Sequence, residues 1–133
     1  MTNTINTYGK KIENKMLKLV ERVSNADFHP KYTDDSDLQK CKRFLNDVQG
    51  GIVLDEMEMR MANLFWLKYS KDDIPYGNKD LLFVVDYQIK ARQKINAIKM
   101  FRRFMHTGLS EAKNFVDARE TQLKIDRVLD YEC

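Results

Sequence analysis

Within residues 1–70, apolar residues recur every three or four positions in three stretches, which is the spacing of amphipathic helices, and a loop with Pro30 is expected at residues 24–33. The first stripe runs through residues 10–23. The second follows residues 36–39, where a serine and a glutamine have the spacing of a capping box. The Gly50–Gly51 pair is expected to end that helix, and a third helix is expected from about Leu54 to Tyr69. The pattern therefore predicts a helical N-terminal lobe.

The period of the apolar residues changes after residue 80. Residues 71–80 contain Pro75 and Gly77 and are expected to form a linker. The run from Leu81 to Val85 is short and rich in β-branched and aromatic side chains, which indicates a strand.

Two helices are expected beyond that strand, at about Arg92–His106 and Ser110–Arg119. Residues 120–133 fit either a strand or a helix. Together with the helical lobe, the strand predicts an α+β fold class. Its second part would be a small strand-helix-helix domain over residues 81–133.

One apolar residue of the helix at Arg92–His106 lies on the polar face. At 100° per residue, six apolar residues fall in one arc of the helical wheel: Ala97, Ile98, Met100, Phe101, Phe104 and Met105. Ile95 falls in the opposite arc, close to Lys99, Arg102 and His106. An apolar side chain among cations is typical of the centre of a contact with an acidic partner. Cover from a neighbouring helix would explain it equally well.

Basic residues are concentrated between Lys90 and Lys113, a stretch that contains seven Lys or Arg residues and a single acidic residue, Glu111. Such a run implies an anionic partner, either an acidic protein surface or a nucleic-acid backbone. In the nucleic-acid alternative, Tyr76 or Tyr87 would stack on bases. Five cations would neutralise phosphates: Arg92, Lys94, Lys99, Arg102 and Arg103.

Residues 81–118, LLFVVDYQIKARQKINAIKMFRRFMHTGLSEAKNFVDA, contain K-I-x-x-I-K-x-x-R on the first expected helix and G-L-x-E-A-K-x-x-V on the second, with Gly108 between the helices. Through these motifs the stretch resembles the C-terminal domain of ribosomal protein L7/L12. In that family the domain is a compact α/β unit at the tip of the ribosomal stalk, and it recruits translational GTPases through these two helices. Five residues match the factor-contacting positions: Lys94, Ile95, Ile98, Arg102 and Lys113.

The resemblance implies a protein partner with an acidic surface, such as a translation factor or another host protein. With Lys99 added from the helical wheel, the expected binding residues are Lys94, Ile95, Ile98, Lys99, Arg102 and Lys113. The family has a hinge before this domain and further strands after it, whereas this chain has a helical lobe and a short tail. We therefore expect a regulator rather than a stalk protein. The small, Lys- and Asn-rich chain adds the hypothesis that it is phage-encoded.

The sequence has no motif typical of an enzyme or of a metal site. It lacks a glycine-rich phosphate loop, G-x-S-x-G and HExxH. His29 and His106 have no neighbouring cysteine, and the acids at 34–37 and 72–73 fit helix caps and turns better than cation binding. We expect a non-enzymatic protein without cofactor or metal.

The chain also lacks the sequence features of a membrane or exported protein. No apolar run approaches the ~20 residues of a membrane helix, and the N-terminus lacks a secretory signal. The expected location is therefore the cytoplasm, with no membrane partner.

Overall fold

The computed structural model describes residues 3–25, 35–70 and 73–126, and the regular structure in these ranges is entirely helical. The chain divides into two compact units, Met1–Asp73 and Ile74–Cys133. The described helices are α1 (Asn3–Asn25), α2 (Asp35–Gln49), α3 (Glu56–Lys68), α4 (Lys79–Lys90), α5 (Lys94–Met105) and α6 (Leu109–Ile125). None of these helices is both long enough and apolar enough to cross a membrane.

The prediction of an α+β fold is wrong, because the expected strand Leu81–Val85 forms the first turns of α4. The described ranges contain no strand. Asn78 starts the helix, since its side-chain oxygen accepts hydrogen bonds from the backbone N–H groups of Asp80 and Leu81, at 2.9 and 3.0 Å. The buried positions then continue at helical spacing past the apolar run: Leu81, Val84, Val85 and Ile89. A five-residue apolar run is too short to distinguish the period of a helix from that of a buried strand.

In the unit Met1–Asp73, α1 packs against both α2 and α3. The buried side chains include Met16, Leu19, Val23, Cys41, Phe44, Met61, Leu64 and Phe65. The rings of Phe44 and Phe65 join α2 to α3, with their centroids 6.5 Å apart. The apolar stripes predicted for these three helices therefore form one core.

A capping box lies at the start of α3. Asp55 accepts a 2.8 Å hydrogen bond from the backbone N–H of Glu58, whose carboxylate accepts a 3.1 Å bond from the N–H of Asp55. Ser36, the predicted cap of the preceding helix, lies in α2 and interacts within the chain.

A buried ion pair joins the start of α2 to the end of α3. Lys68 Nζ lies 2.5 Å from Asp37 Oδ2, and the two side chains are 3% and 0% exposed. Tyr69 Oη donates a 2.6 Å hydrogen bond to the same carboxylate oxygen. Asp37 belongs to the acidic cluster that was expected to cap a helix. It is instead an interior residue of the unit.

In the unit Ile74–Cys133, α4, α5 and α6 all pack against one another. Phe101 and Phe115 stack with centroids 4.3 Å apart, and the ring of Tyr76 meets both edge-on at 5.5 Å. The Tyr76 hydroxyl is hydrogen-bonded to the carboxylate of Glu111. Tyr76 is 45% exposed, and the residues from Ile74 onwards belong to the second compact unit.

The last helix is longer than predicted. It extends through Leu123, which is buried, to Ile125, so the first part of the ambiguous tail is helical. Residues 127–133 lie outside the described residues.

Candidate functional site

Helix α5 presents one large apolar side chain to solvent. Ala97, Phe101 and Phe104 form its buried face, whereas Ile95 is 70% exposed. The helical wheel had placed Ile95 among polar residues, and neither α4 nor α6 covers it. Exposed aliphatic side chains are common singly on proteins, so its meaning depends on its neighbours.

Two of these neighbours are exposed cations on the same face of α5. Lys99 and Arg102 follow Ile95 by four and seven residues, which places all three side chains within about 60° of one another around the helix axis. Neither cation forms an ion pair with a described residue. Ile98 lies beside Ile95 and is half-buried. The face therefore combines apolar area with uncompensated positive charge.

Lys94 faces α6 and is partly exposed, at 39% of its side chain. Its Nζ lies 2.5 Å from Asp117 Oδ1 and 3.2 Å from Glu120 Oε1. The interaction with Asp117 is the main cause of the raised pKa of Lys94, which partial burial opposes and Glu120 reinforces. Lys94 thus stays protonated, with its charge balanced inside the unit. Neither carboxylate was among the predicted site residues, because their proximity to Lys94 comes from helix packing.

Lys113 lies on the side of α6 that meets the start of α5. It precedes Asp117 by four residues, so the two side chains share one side of α6. Asp117 on that side contacts Lys94 of α5. Lys113 is exposed and forms no ion pair with a described residue. We call Ile95, Ile98, Lys99, Arg102 and Lys113 the α5 surface.

The five cations of the nucleic-acid alternative do not share a single face. The four on α5 spread over about half of the helix circumference, from Lys94 beside α6 to Arg103 on the other flank. Arg92 precedes the helix in a left-handed conformation, with φ at 59°. Arg92 and Arg103 already interact within the chain. Only Lys99 and Arg102 of this set lie together on the exposed face.

The two tyrosines proposed for base stacking have different environments. Tyr76 is 45% exposed, its ring contacts two rings, those of Phe101 and Phe115, and its hydroxyl is hydrogen-bonded to Glu111. Tyr87 is 49% exposed and stacks on Phe83, with ring centroids 6.4 Å apart and planes inclined by 26°. Tyr87 is therefore the better placed of the two to receive a further ring.

The described residues contain no group of three or more His, Cys, Asp or Glu side chains that could hold a metal ion. From the acidic cluster at 34–37, Asp37 binds Lys68, while Asp34 lies outside the described residues, as does His29.

Comparison with protein-family models, with curated proteins and with solved structures finds no match to this chain.

Proposed function

We propose that this protein is a non-catalytic regulatory protein that binds a protein partner through the α5 surface. The exposure of Ile95, at 70%, carries the proposal. Covering an isoleucine side chain contributes on the order of 1.5–3 kcal/mol. Around it, Lys99, Arg102 and Lys113 favour and orient an acidic surface.

An aliphatic centre favours a protein over a nucleic acid at this surface. Phosphate contacts need cations and derive nothing from Ile95. Protein interfaces use a buried apolar centre inside a polar rim, and arginine is enriched in them. Ile95 with Arg102 has this arrangement. The other cations are spread around α5 and do not line one face along which a phosphate backbone could run.

The resemblance to the L7/L12 C-terminal domain supports the same surface. Its two motifs lie on α5 and α6, which are the helices that form the α5 surface. The leading strand implied by the resemblance is absent from the described residues, so the support rests on the helix pair alone. We infer a translation factor or another host protein as the partner, a cytoplasmic location and a phage-encoded regulator.

The proposal is tested by affinity capture from cytoplasmic extract, with and without nuclease, using the full chain. Captured proteins are then titrated against purified variants. Ile95→Ala should weaken binding by about 5- to 150-fold, corresponding to about 1–3 kcal/mol. Combining it with Arg102→Glu should abolish capture, because the new carboxylate repels an acidic surface.

Ile125→Ala is the matched control. Ile125 is 66% exposed and lies on α6 of the same unit, outside the α5 surface. Its substitution should leave capture unchanged. If Ile95→Ala retains every partner, or if nuclease removes all binding, the proposal is wrong.

A further inference from the structure

The outer face of α4 carries two aromatic rings flanked by lysines. Lys79, Phe83, Tyr87 and Lys90 follow one another at intervals of four, four and three residues, and so form one line along the helix. This line, which we call the α4 strip, lies opposite the buried side chains of the same helix. It shares no residue with the α5 surface.

The rings form an open stacking platform. Phe83 and Tyr87 are one turn apart and nearly parallel, at 6.4 Å and 26°. Phe83 is half-buried and supports Tyr87, which is 49% exposed. Stacking on Phe83 restricts the Tyr87 side chain, which reduces the entropy that a planar ligand must overcome when it binds the tyrosine.

Positive charge dominates the ends of the strip. Lys79 and Lys90 are exposed and form no ion pair with a described residue. The neighbouring acids are engaged: Arg119 holds the carboxylate of Asp86 through two hydrogen bonds, at 3.0 and 2.7 Å, and Asp80 interacts within the chain. The lysine Cα atoms are about 16 Å apart at the helical rise of about 1.5 Å per residue, with the aromatic pair between them.

We propose that the α4 strip binds single-stranded nucleic acid, with a base stacked on Tyr87 and phosphates near Lys79 and Lys90. Every base offers a face to an aromatic ring, whereas in a duplex that face is covered by the neighbouring base pairs. The two lysines offer ammonium groups to phosphates on either side of a base that stacks on the ring. The proposal does not depend on the α5 surface.

The test is fluorescence anisotropy of a labelled twelve-residue oligothymidine titrated with the full chain. The same length of duplex and inorganic polyphosphate serve as competitors. We expect the single strand to bind and both competitors to displace it poorly, because neither offers an unstacked base. Equal competition by duplex or polyphosphate, or an absence of binding, would overturn the proposal.

Variants separate stacking from charge. Tyr87→Ala should weaken oligothymidine binding about tenfold or more, while Tyr87→Phe, which keeps the ring, should bind like the wild type. Far-UV circular dichroism verifies that both retain the helices. Ile95→Ala should leave the affinity for oligothymidine unchanged. A wrong proposal for the α4 strip is therefore distinguishable from a wrong proposal for the α5 surface. Wild-type affinity in Tyr87→Ala would contradict the proposal.

The salt dependence identifies the cations independently of Tyr87. Two phosphate contacts predict a slope of about −1.4 in log affinity against log salt, and Lys90→Gln should reduce it to about −0.7. A slope near −3 that is insensitive to Lys90→Gln would assign binding to the α5 cations. That result would overturn the α4 strip as the site.

Discussion

Both units use some cations between helices and leave others on the surface, but in Ile74–Cys133 exposed cations lie beside an exposed isoleucine. In the first unit, Lys68 is buried against Asp37, and the guanidinium of Arg22 lies 3.6 Å above the ring of Trp66. Lys15 donates a 2.7 Å hydrogen bond to Asn63. These contacts connect helices that are distant along the chain.

The second unit divides its charged residues between two uses. Arg119 and Lys94 join helices through Asp86 and Asp117, as the cations of the first unit do. Lys99, Arg102 and Lys113 have no such partner among the described residues, and Lys99 and Arg102 lie beside Ile95 on α5. Some cations therefore stabilise the packing of helices, whereas others are available for binding. Substitutions of the first kind should lower the free energy of unfolding, and substitutions of the second kind should not.

The largest effect is expected from Asp37→Ala. It leaves the Lys68 ammonium buried without a carboxylate, which costs about 3–5 kcal/mol in the free energy of unfolding. Trp66 is the single tryptophan and lies in the same unit, so its fluorescence during urea unfolding measures the loss.

A double variant is the control for Asp37→Ala. Asp37→Leu combined with Lys68→Met removes both charges and should recover most of the stability. A loss below about 1 kcal/mol in Asp37→Ala would show that the ion pair does not hold α2 to α3.

The next effect is expected from Arg119→Met, which removes the two hydrogen bonds to Asp86. These side chains are 25% and 16% exposed, so we expect a loss of about 1–2 kcal/mol, confined to the second unit. In urea unfolding, the circular dichroism signal at 222 nm should show an additional transition at lower urea concentration. The transition in Trp66 fluorescence should keep its midpoint. Lys113→Met, on the same helix, should change neither. A shift of the Trp66 transition would mean that the units unfold together.

A smaller, pH-dependent effect is expected from Lys94→Met. The pKa of Lys94 is raised above its ordinary 10.5, mainly by Asp117. A raised folded-state pKa stabilises the fold fully below 10.5, and this contribution is lost as the pH rises through the folded value. Because the side chain is 39% exposed, we expect less than about 1 kcal/mol. The difference in unfolding free energy between wild type and variant should shrink above pH 10.5; a constant difference would contradict this.

The smallest effect on stability is expected from Ile95→Ala, within about 0.5 kcal/mol, because the side chain is already exposed. Phe101→Ala, at a fully buried position of the same helix, should lower the free energy of unfolding by about 3–5 kcal/mol, as measured by urea unfolding at 222 nm. A large loss in Ile95→Ala would show that Ile95 is a packing residue and would remove the basis of the α5 surface.

Helices with a long apolar stripe could be predicted from the sequence. The stripes of α1, α3 and α5 lie where the periodicity predicts them, and Ile95, a misfit on the helical wheel of α5, is exposed. The predicted strand failed because Leu81–Val85 is only a fragment of the stripe of α4. The start of that helix depends on Asn78, whose capping role was not recognised in a segment expected to be a linker.

The sequence by itself determined which residues are apolar, the helical period of most of the chain, and the excess of cations between Lys90 and Lys113. The tertiary structure alone decided which of these cations remain exposed. Helix packing places Asp117 and Glu120 against Lys94 but gives Lys99 and Arg102 no ion-pair partner among the described residues. These pairings join residues more than twenty positions apart, and local periodicity contains no information about such distances.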